Sequence, residues 1–252
     1  MPIVVRQFDF QTDGRHLPDM IAMWRKGMRE IPMQGVRQYF IRFWWQRWLS
    51  CYHLPIALIS MVSVTSGTLS LSYWLMINCL LFVLPPLLIY AYFYALNSLY
   101  IWNSLHDDWP RLESTYAHPG CFWIALEDDR VAGMIALDAH LGSKSLEKKD
   151  VPSGEDGLPV KDVQAMKSGI GMELRRLVVH PDFRRRGIAR MLVNTLIQHA
   201  KKVHADYVYL TTVQLQPAAH EMYMAHGFTL TRRFSSGKPF LLLCEYVLGV
   251  QK

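Results

Sequence analysis

Charge is what this chain is shortest of. Asp, Glu, Lys and Arg make up only 19% of its 252 residues, and none of them occurs between Leu49 and Leu105. A deficit so local points to one apolar segment rather than to a uniformly greasy core. Cysteine is sparse as well. Cys51, Cys79, Cys121 and Cys244 stand without a CxxC pair or histidine partners, which excludes a disulfide framework and a zinc site. The first residues include Arg6, Asp9 and Asp13 and hold no apolar run of signal-peptide length, so no cleaved leader is expected. No internal repeat is visible. The length fits one large domain or a domain with an appendage. The net charge of +6 suits an anionic partner, either a phosphorylated ligand or an anionic membrane face.

Against these absences one stretch stands out: Leu174 to Met191, LRRLVVHPDFRRRGIARM. It reads as an apolar strand, a turn opened by His180, Pro181 and Asp182, three arginines, a glycine and a helix. Ile188, Met191, Leu192, Thr195, Leu196 and His199 recur at helical spacing, so an amphipathic helix is predicted from about Ile188 to His204. A helix N-terminus carries about half a positive charge and several N–H groups without internal partners. An anion placed there meets both. Gly187 removes the side chain that would block its approach. Three arginines also occur as a plain solvated run, so this loop alone leaves phosphate binding open.

The order Arg184, x, x, Gly187, x, Ala189 resembles the acetyl-CoA pyrophosphate loop of the GNAT superfamily of N-acetyltransferases. About thirty residues later, Ala219, Tyr223, Gly227 and Phe228 match the superfamily's second motif. The resemblance implies an α+β GNAT fold: a mixed, mostly antiparallel sheet flanked by helices. It further implies acetyl-CoA as co-substrate, with no metal. The backbone of Leu177, Val178 and Val179 would bond the pantetheine arm. Arg184, Arg185, Arg186, Gly187, Ile188 and Ala189 would hold the pyrophosphate, with Ala219 also at the cofactor.

Read in order, Ile3 to Phe8 is a short strand, followed by Thr12 and Asp13 as a cap and a helix from about Arg15 to Met28. Arg37, Arg42 and Arg47 then lie among Tyr39, Phe40, Phe43, Trp44, Trp45 and Trp48, a pattern that fits a membrane interface better than nucleic acid. The uncharged run after it is more than twice the twenty or so residues that a bilayer core of about 30 Å requires. Thr65, Ser66, Gly67 and Thr68 divide it into apolar segments of about Leu49 to Val64 and Leu69 to Leu96, so a transmembrane hairpin or a re-entrant loop is expected. Positive charge beside the first segment places the flanking domain in the cytosol.

Beyond that run, His106 to His118 reads as a helix with Pro110 near its start. Cys121 to Glu127 and Arg130 to Ala139 read as a hairpin through Asp128 and Asp129, and Met172 to Val179 as the next strand. His140 to Gly171, rich in Gly, Ser and charge, is expected to be a flexible insertion or a substrate lid. Asp206 to Thr212, Phe228 to Phe234 and Phe240 to Val247 complete the strands, with a helix from Pro217 to His226 between the first two of them. The expected domains are 1–36, a membrane-embedded insert 37–104, and 105–252.

For chemistry, the superfamily resemblance offers Glu173 as general base and Tyr223 as general acid toward the departing thiolate. The ordinary readings are an exposed ion pair for Glu173 and a packing ring for Tyr223. Arg175 and Arg176 stand out on a strand of Leu and Val. A buried arginine needs a partner, which a substrate carboxylate or a structural Asp would supply equally well. Gln216 departs from the Asn that many members carry before the second-motif helix.

GCFWIALEDDRVAGMIAL from Gly120 to Leu137, ELRRLVVHPDFRRRGIAR and the apolar insert together resemble the camello-like N-acetyltransferases. That resemblance implies a membrane-bound enzyme, generally at the endoplasmic reticulum, that acetylates the amine of a small amino acid or cysteine S-conjugate. Its partners would be that amine and membrane lipid, with no nucleic acid. Protein lysine acetylation, and a non-catalytic acetyl-CoA-binding scaffold, are the alternatives.

Overall fold

The computed structural model describes residues 2–37, 54–67, 70–107, 109–139, 169–235, 237–238 and 241–250. The aromatic and basic stretch before the apolar run, from residue 38 on, lies outside them, as does the 140–168 portion of the expected insertion. The chain divides into two compact units, one made of Met1–Gly27 with Ser104–Lys252 and the other of Met28–Asn103.

The first unit is built on a seven-stranded sheet. Its strands are β1 (Val4–Gln7), β2 (Cys121–Glu127), β3 (Arg130–Asp138), β4 (Gly171–Val179), β5 (Tyr207–Val213), β6 (Thr229–Ser235) and β7 (Leu242–Gly249), in the order β1-β2-β3-β4-β5-β7-β6. Every neighbouring pair is antiparallel except β4 and β5. The mixed, mostly antiparallel sheet is therefore present. The β2–β3 hairpin turns through Asp128 and Asp129, both at positive φ, the region that Asp tolerates better than most residues.

Helix α1 (Leu17–Met28) follows a 3₁₀ turn at Gly14–His16 and buries Met20, Met23 and Trp24. The helix expected from His106 to His118 is instead broken into a 3₁₀ turn, Trp109–Arg111, and the short α5 (Leu112–Thr115), because Pro110 has no N–H to continue a helical ladder. Helix α6 (Ile188–Lys202) buries Ile188, Leu192, Val193, Leu196 and Ala200, the apolar stripe that its sequence spacing predicts. These side chains join Met172 and Leu174 of β4 and Val208 and Leu210 of β5 in the main core. Helix α7 (Pro217–Ala225) ends where Gly227 takes φ 84° and the Phe228 N–H bonds the Tyr223 carbonyl at 3.1 Å. The Gly-Phe of the second motif is thus a helix stop followed by a core ring.

The second unit holds α2 (Ile31–Val36), α3 (Leu54–Thr65) and α4, which begins at Leu71 and runs to Asp107. Gly67, at φ 72°, follows the end of α3, so the turn formers do divide the apolar run. On α4, Phe93 is buried with its ring against Gly35, and the Asn97 side-chain amide donates to the Met28 carbonyl at 3.0 Å. Leu58, Ile59 and Val62 of α3 and Leu75, Leu80 and Leu88 of α4 are exposed.

Among the described residues, no helix is long and apolar enough to cross a membrane. At about 1.5 Å per residue, the 12 residues of α3 rise roughly 18 Å, well short of a bilayer core. The expected location, in the endoplasmic reticulum membrane with a cytosolic catalytic face, is corrected accordingly. Membrane lipid is withdrawn as a partner with it.

Candidate active site

The glycine-opened loop is fixed at both ends. Where β4 finishes, the His180 N–H bonds the Ala132 carbonyl of β3 at 2.9 Å. In the turn that follows, Phe183 is buried beneath two guanidiniums, Arg130 at 5.2 Å and Arg186 at 5.5 Å from the ring centre. Arg186 also donates to both carboxylate oxygens of Glu127, one of these bonds at 3.0 Å, and it holds that carboxyl below its ordinary range. Its guanidinium is thereby directed at the β2–β3 hairpin, so its share in holding an anion falls to its backbone.

Between these anchors the backbone alternates. Arg184 is extended, Arg185 takes φ 66° and Gly187 takes φ 77°. Alternation of this kind turns successive N–H groups toward one concavity. The first bond of α6 runs from Met191 N to Gly187 O at 3.1 Å, so the N–H groups of Ile188, Ala189 and Arg190 all precede it. Gly187 provides no side-chain cap, and no acidic residue occupies the first turn of α6. A Cβ at Gly187 would meet no atom within 4 Å. Donors, field and open space coincide here, which is what a pyrophosphate needs.

Gly133 seats the helix that carries this end. A Cβ there would lie 3.1 Å from the Ile188 and Leu192 side chains and from the Val178 carbonyl. The absent side chain lets the first turns of α6 press onto β3.

Strands β4 and β5 pair only at Gly171–Tyr207, Met172–Val208 and Glu173–Tyr209. Beyond that point β5 continues its pairing with β7 while β4 keeps only β3, so the sheet opens between them. Leu177, Val178 and Val179 line the β4 side of the opening and lead directly into the loop. A bulge interrupts the β3–β4 register between Met134 and Ala136 and leaves Arg176 and Leu177 without register partners. Arg176 sits in this bulge at φ 56°, its guanidinium stacked over Trp24 at 4.7 Å and Trp109 at 5.4 Å. A positive φ at a non-glycine residue inside a strand is uncommon and costs backbone energy.

Glu173 faces away from the α6 core, since its neighbours Met172 and Leu174 belong to that core and strand side chains alternate. In register beside it stand Asp138 on β3 and Tyr209 on β5. Arg175 donates to Asp138 Oδ2 at 3.1 Å, and its Nε lies 3.9 Å from Glu173 Oε2. The Glu173 side chain is 25% exposed, so it meets solvent while remaining largely desolvated. Burial pushes its carboxyl above the ordinary range, Arg175 opposes the shift, and Asp138 and Glu245 reinforce it.

Tyr223 lies on the other face, inside the core with α6. Its ring stands 5.9 Å from those of Phe228 and Tyr246, and burial pushes its hydroxyl upward, so it keeps its proton at any physiological pH. Tyr246 in turn shares a 2.7 Å hydrogen bond with His220, whose titration burial shifts downward. Ala219 is part of the first turn of α7, its N–H bonded to the Gln216 carbonyl at 3.0 Å, and the Gln216 side-chain oxygen accepts from Thr212 at 3.0 Å. Glu173 and Tyr223 are thus on opposite faces of the sheet.

A known family fits this arrangement. The profile of the acetyltransferase (GNAT) family matches residues 89–228, more than half of the chain. The chain belongs to that family. Within the GNAT family, N-acetyltransferase family 8 member 3 of Rattus norvegicus is 33% identical over 132 residues, 52% of this chain and 48% of the relative. N-acetylaspartate synthetase of Rattus norvegicus is 30% identical over 158 residues, 61% of this chain and 44% of the relative. These relatives bear out the camello-like resemblance, and the chain spans about half the length of the curated relatives it matches. A GNAT-family acetyltransferase from Staphylococcus aureus Mu50 superposes with a TM-score of 0.47 at 12% identity, covering 99% of this chain and 100% of its own.

The residues that sequence reasoning missed are the neighbours. Asp138 ends an otherwise apolar strand, and Arg175 demanded an acidic partner; together those were the available signal. Tyr209 and Gly133 carried none, because both matter only through strand register and helix seating.

Proposed function

We propose that this protein transfers an acetyl group from acetyl-CoA to the amine of a small amino acid or cysteine S-conjugate. The observation that carries this reading is the path from the opened edge of β4 straight into a helix N-terminus free of side chain at Gly187. A long thioester of a nucleotide diphosphate needs donors for an extended arm and for a pyrophosphate in just that order. The relative named for N-acetylaspartate synthesis supports a small amino acid as acceptor.

Acetyl-CoA supplies an acyl carbon activated by sulfur. The arriving ammonium must lose a proton before its nitrogen can attack, and Glu173, whose affinity for a proton burial has raised, takes it through water. Backbone N–H groups along Leu177 to Val179 hold the arm and polarise the carbonyl. A C–N bond forms, the attacking nitrogen gives its second proton to water, the C–S bond breaks, and the departing sulfur takes a proton from Tyr223. The products are an N-acetyl amide and CoA, and solvent returns the two catalytic groups to their starting states.

Incubating the full chain with acetyl-CoA and, separately, aspartate, other amino acids, cysteine S-conjugates and a lysine peptide tests this reading. CoA release with an N-acetylated small α-amine is the expected result. Release with the peptide alone would move the assignment to protein lysine acetylation. Binding of acetyl-CoA without release in any arm would leave a scaffold, and failure to bind it would overturn the reading altogether.

A further inference from the structure

We propose that Asp138 is a positioning residue for Glu173: it holds the Arg175 guanidinium beside the Glu173 carboxylate, close enough to orient it and too far to pair with it fully. The inference rests on the assignment of Glu173 as base, and it begins from two distances. Arg175 reaches Asp138 at 3.1 Å and Glu173 only at 3.9 Å, although Glu173 is two residues away on the same strand and face. Asp138 lies on the neighbouring strand, directly opposite Glu173.

Burial explains which carboxylate wins. The Asp138 side chain is 7% exposed against 25% for Glu173. A more deeply buried carboxylate stripped of its cation costs more than one that still meets solvent, so the guanidinium stays with Asp138. Had Arg175 closed on Glu173 instead, two charge-assisted bonds would stabilise the ionised form and leave a poor proton acceptor.

Each element around Glu173 contributes to this balance. Asp138 on β3 and Glu245 on β7 repel its negative charge, Arg175 on β4 attracts it, and Tyr209 on β5 desolvates it while remaining protonated. Glu245 has its own cation, Arg232, at 3.0 Å and accepts a bond from Thr231 at 3.2 Å, so it acts on Glu173 only from a distance. Asp138 is therefore the one carboxylate of the group that competes directly for the guanidinium Glu173 would otherwise take.

The test follows the Glu173 carboxyl directly, by carbon-13 NMR titration of the full chain labelled at glutamate side chains, with Glu173→Gln assigning the signal. In Asp138→Asn the arginine is released toward Glu173, and the titration moves to lower pH. In Arg175→Gln the attraction is lost, and it moves to higher pH. Where turnover is measured, the acid limb of kcat/KM moves in the same two directions, and Asp138→Asn lowers kcat about tenfold at neutral pH with the acceptor KM within about twofold. Asp138→Glu restores the wild-type behaviour.

Shifts in the same direction, or none, would overturn the proposal. If Asp138→Asn fails to fold, Arg175→Gln decides alone, since only an upward shift supports the proposal. The NMR arm needs no acceptor, so opposite shifts without any turnover would sink the acetyltransferase reading and leave the Asp138–Arg175–Glu173 arrangement standing.

Discussion

The two halves of β4 share one strand and differ in what surrounds them. Near its start it is registered with β5 from Gly171 to Glu173 and with β3 from Glu173 to Arg175, and around Glu173 the sheet face is crowded with ionisable groups: Asp138, Arg175 and the ring of Tyr209. Its last three residues have no partner on β5, carry Leu and Val, and lead to backbone donors at Gly187. On the proposed reading, proton handling would fall to side chains gathered around Glu173, where both neighbouring strands are present, and cofactor binding to main chain exposed where the sheet is incomplete. A strand becomes a ligand site by losing a neighbour.

If the halves are truly separable, damage to one should spare the other. Gly187→Glu should have the largest effect. It forces a side chain into a backbone at φ 77° and sets a carboxylate where phosphate would lie, so acetyl-CoA binding should vanish in calorimetry. Unchanged affinity would refute the phosphate assignment. Glu173→Gln should do the reverse: affinity for acetyl-CoA within about twofold, and kcat lowered roughly a hundredfold to ten-thousandfold, the range for a lost general base. A loss of affinity in that variant would blur the division.

Gly133→Val should act more weakly on both halves, because it lifts α6 from β3 by contact with Ile188 and Leu192. Overpacking of this kind costs about 1–3 kcal/mol, visible as a lower Tm, with a several-fold loss of acetyl-CoA affinity as the helix end shifts.

The smallest effect concerns pH. The folded-state proton affinity of Glu173 is raised above its ordinary value of 4.5, so its contribution to stability is fully present below that pH and is lost as pH rises through the folded value. Glu173→Gln should consequently unfold at higher denaturant than wild type at neutral pH, with the advantage disappearing in acid. An advantage that grows in acid would show that Glu173 is stabilised by its partners rather than strained by burial.

Much of this was legible beforehand because it is local. The spacing of Ile188, Leu192 and Leu196 specifies a helix and its buried face, Gly187 specifies an open N-terminus, and Gly227 followed by Phe228 specifies a helix stop and a core ring. What escaped depends on register. Asp138 and Arg175 are 37 positions apart, and only strand alignment reveals that the acid faces Glu173 and captures the arginine. The left-handed turns at Arg176 and Arg185 are equally silent, since arginine has no preference for that region and the surrounding indoles and anchors impose it.

The membrane expectation failed for a related reason. Absence of charge between Leu49 and Leu105 measures hydropathy along the chain, whereas spanning depends on the length of each helix and on how densely it is apolar. Pro110, read as a helix start, in fact marks where the chain breaks into shorter turns.

The three-residue seam between β4 and β5 has one more consequence. Among the described residues it is the sole strand pairing that links the β1-to-β4 block to the β5, β7, β6 block, so these two blocks are stitched together by very little main chain. An extended pantetheine lying in the opening would serve as a surrogate strand and complete the seam. Melting temperature should then climb with acetyl-CoA concentration, and amide exchange should slow along Leu177 to Val179 while hardly changing at Glu173.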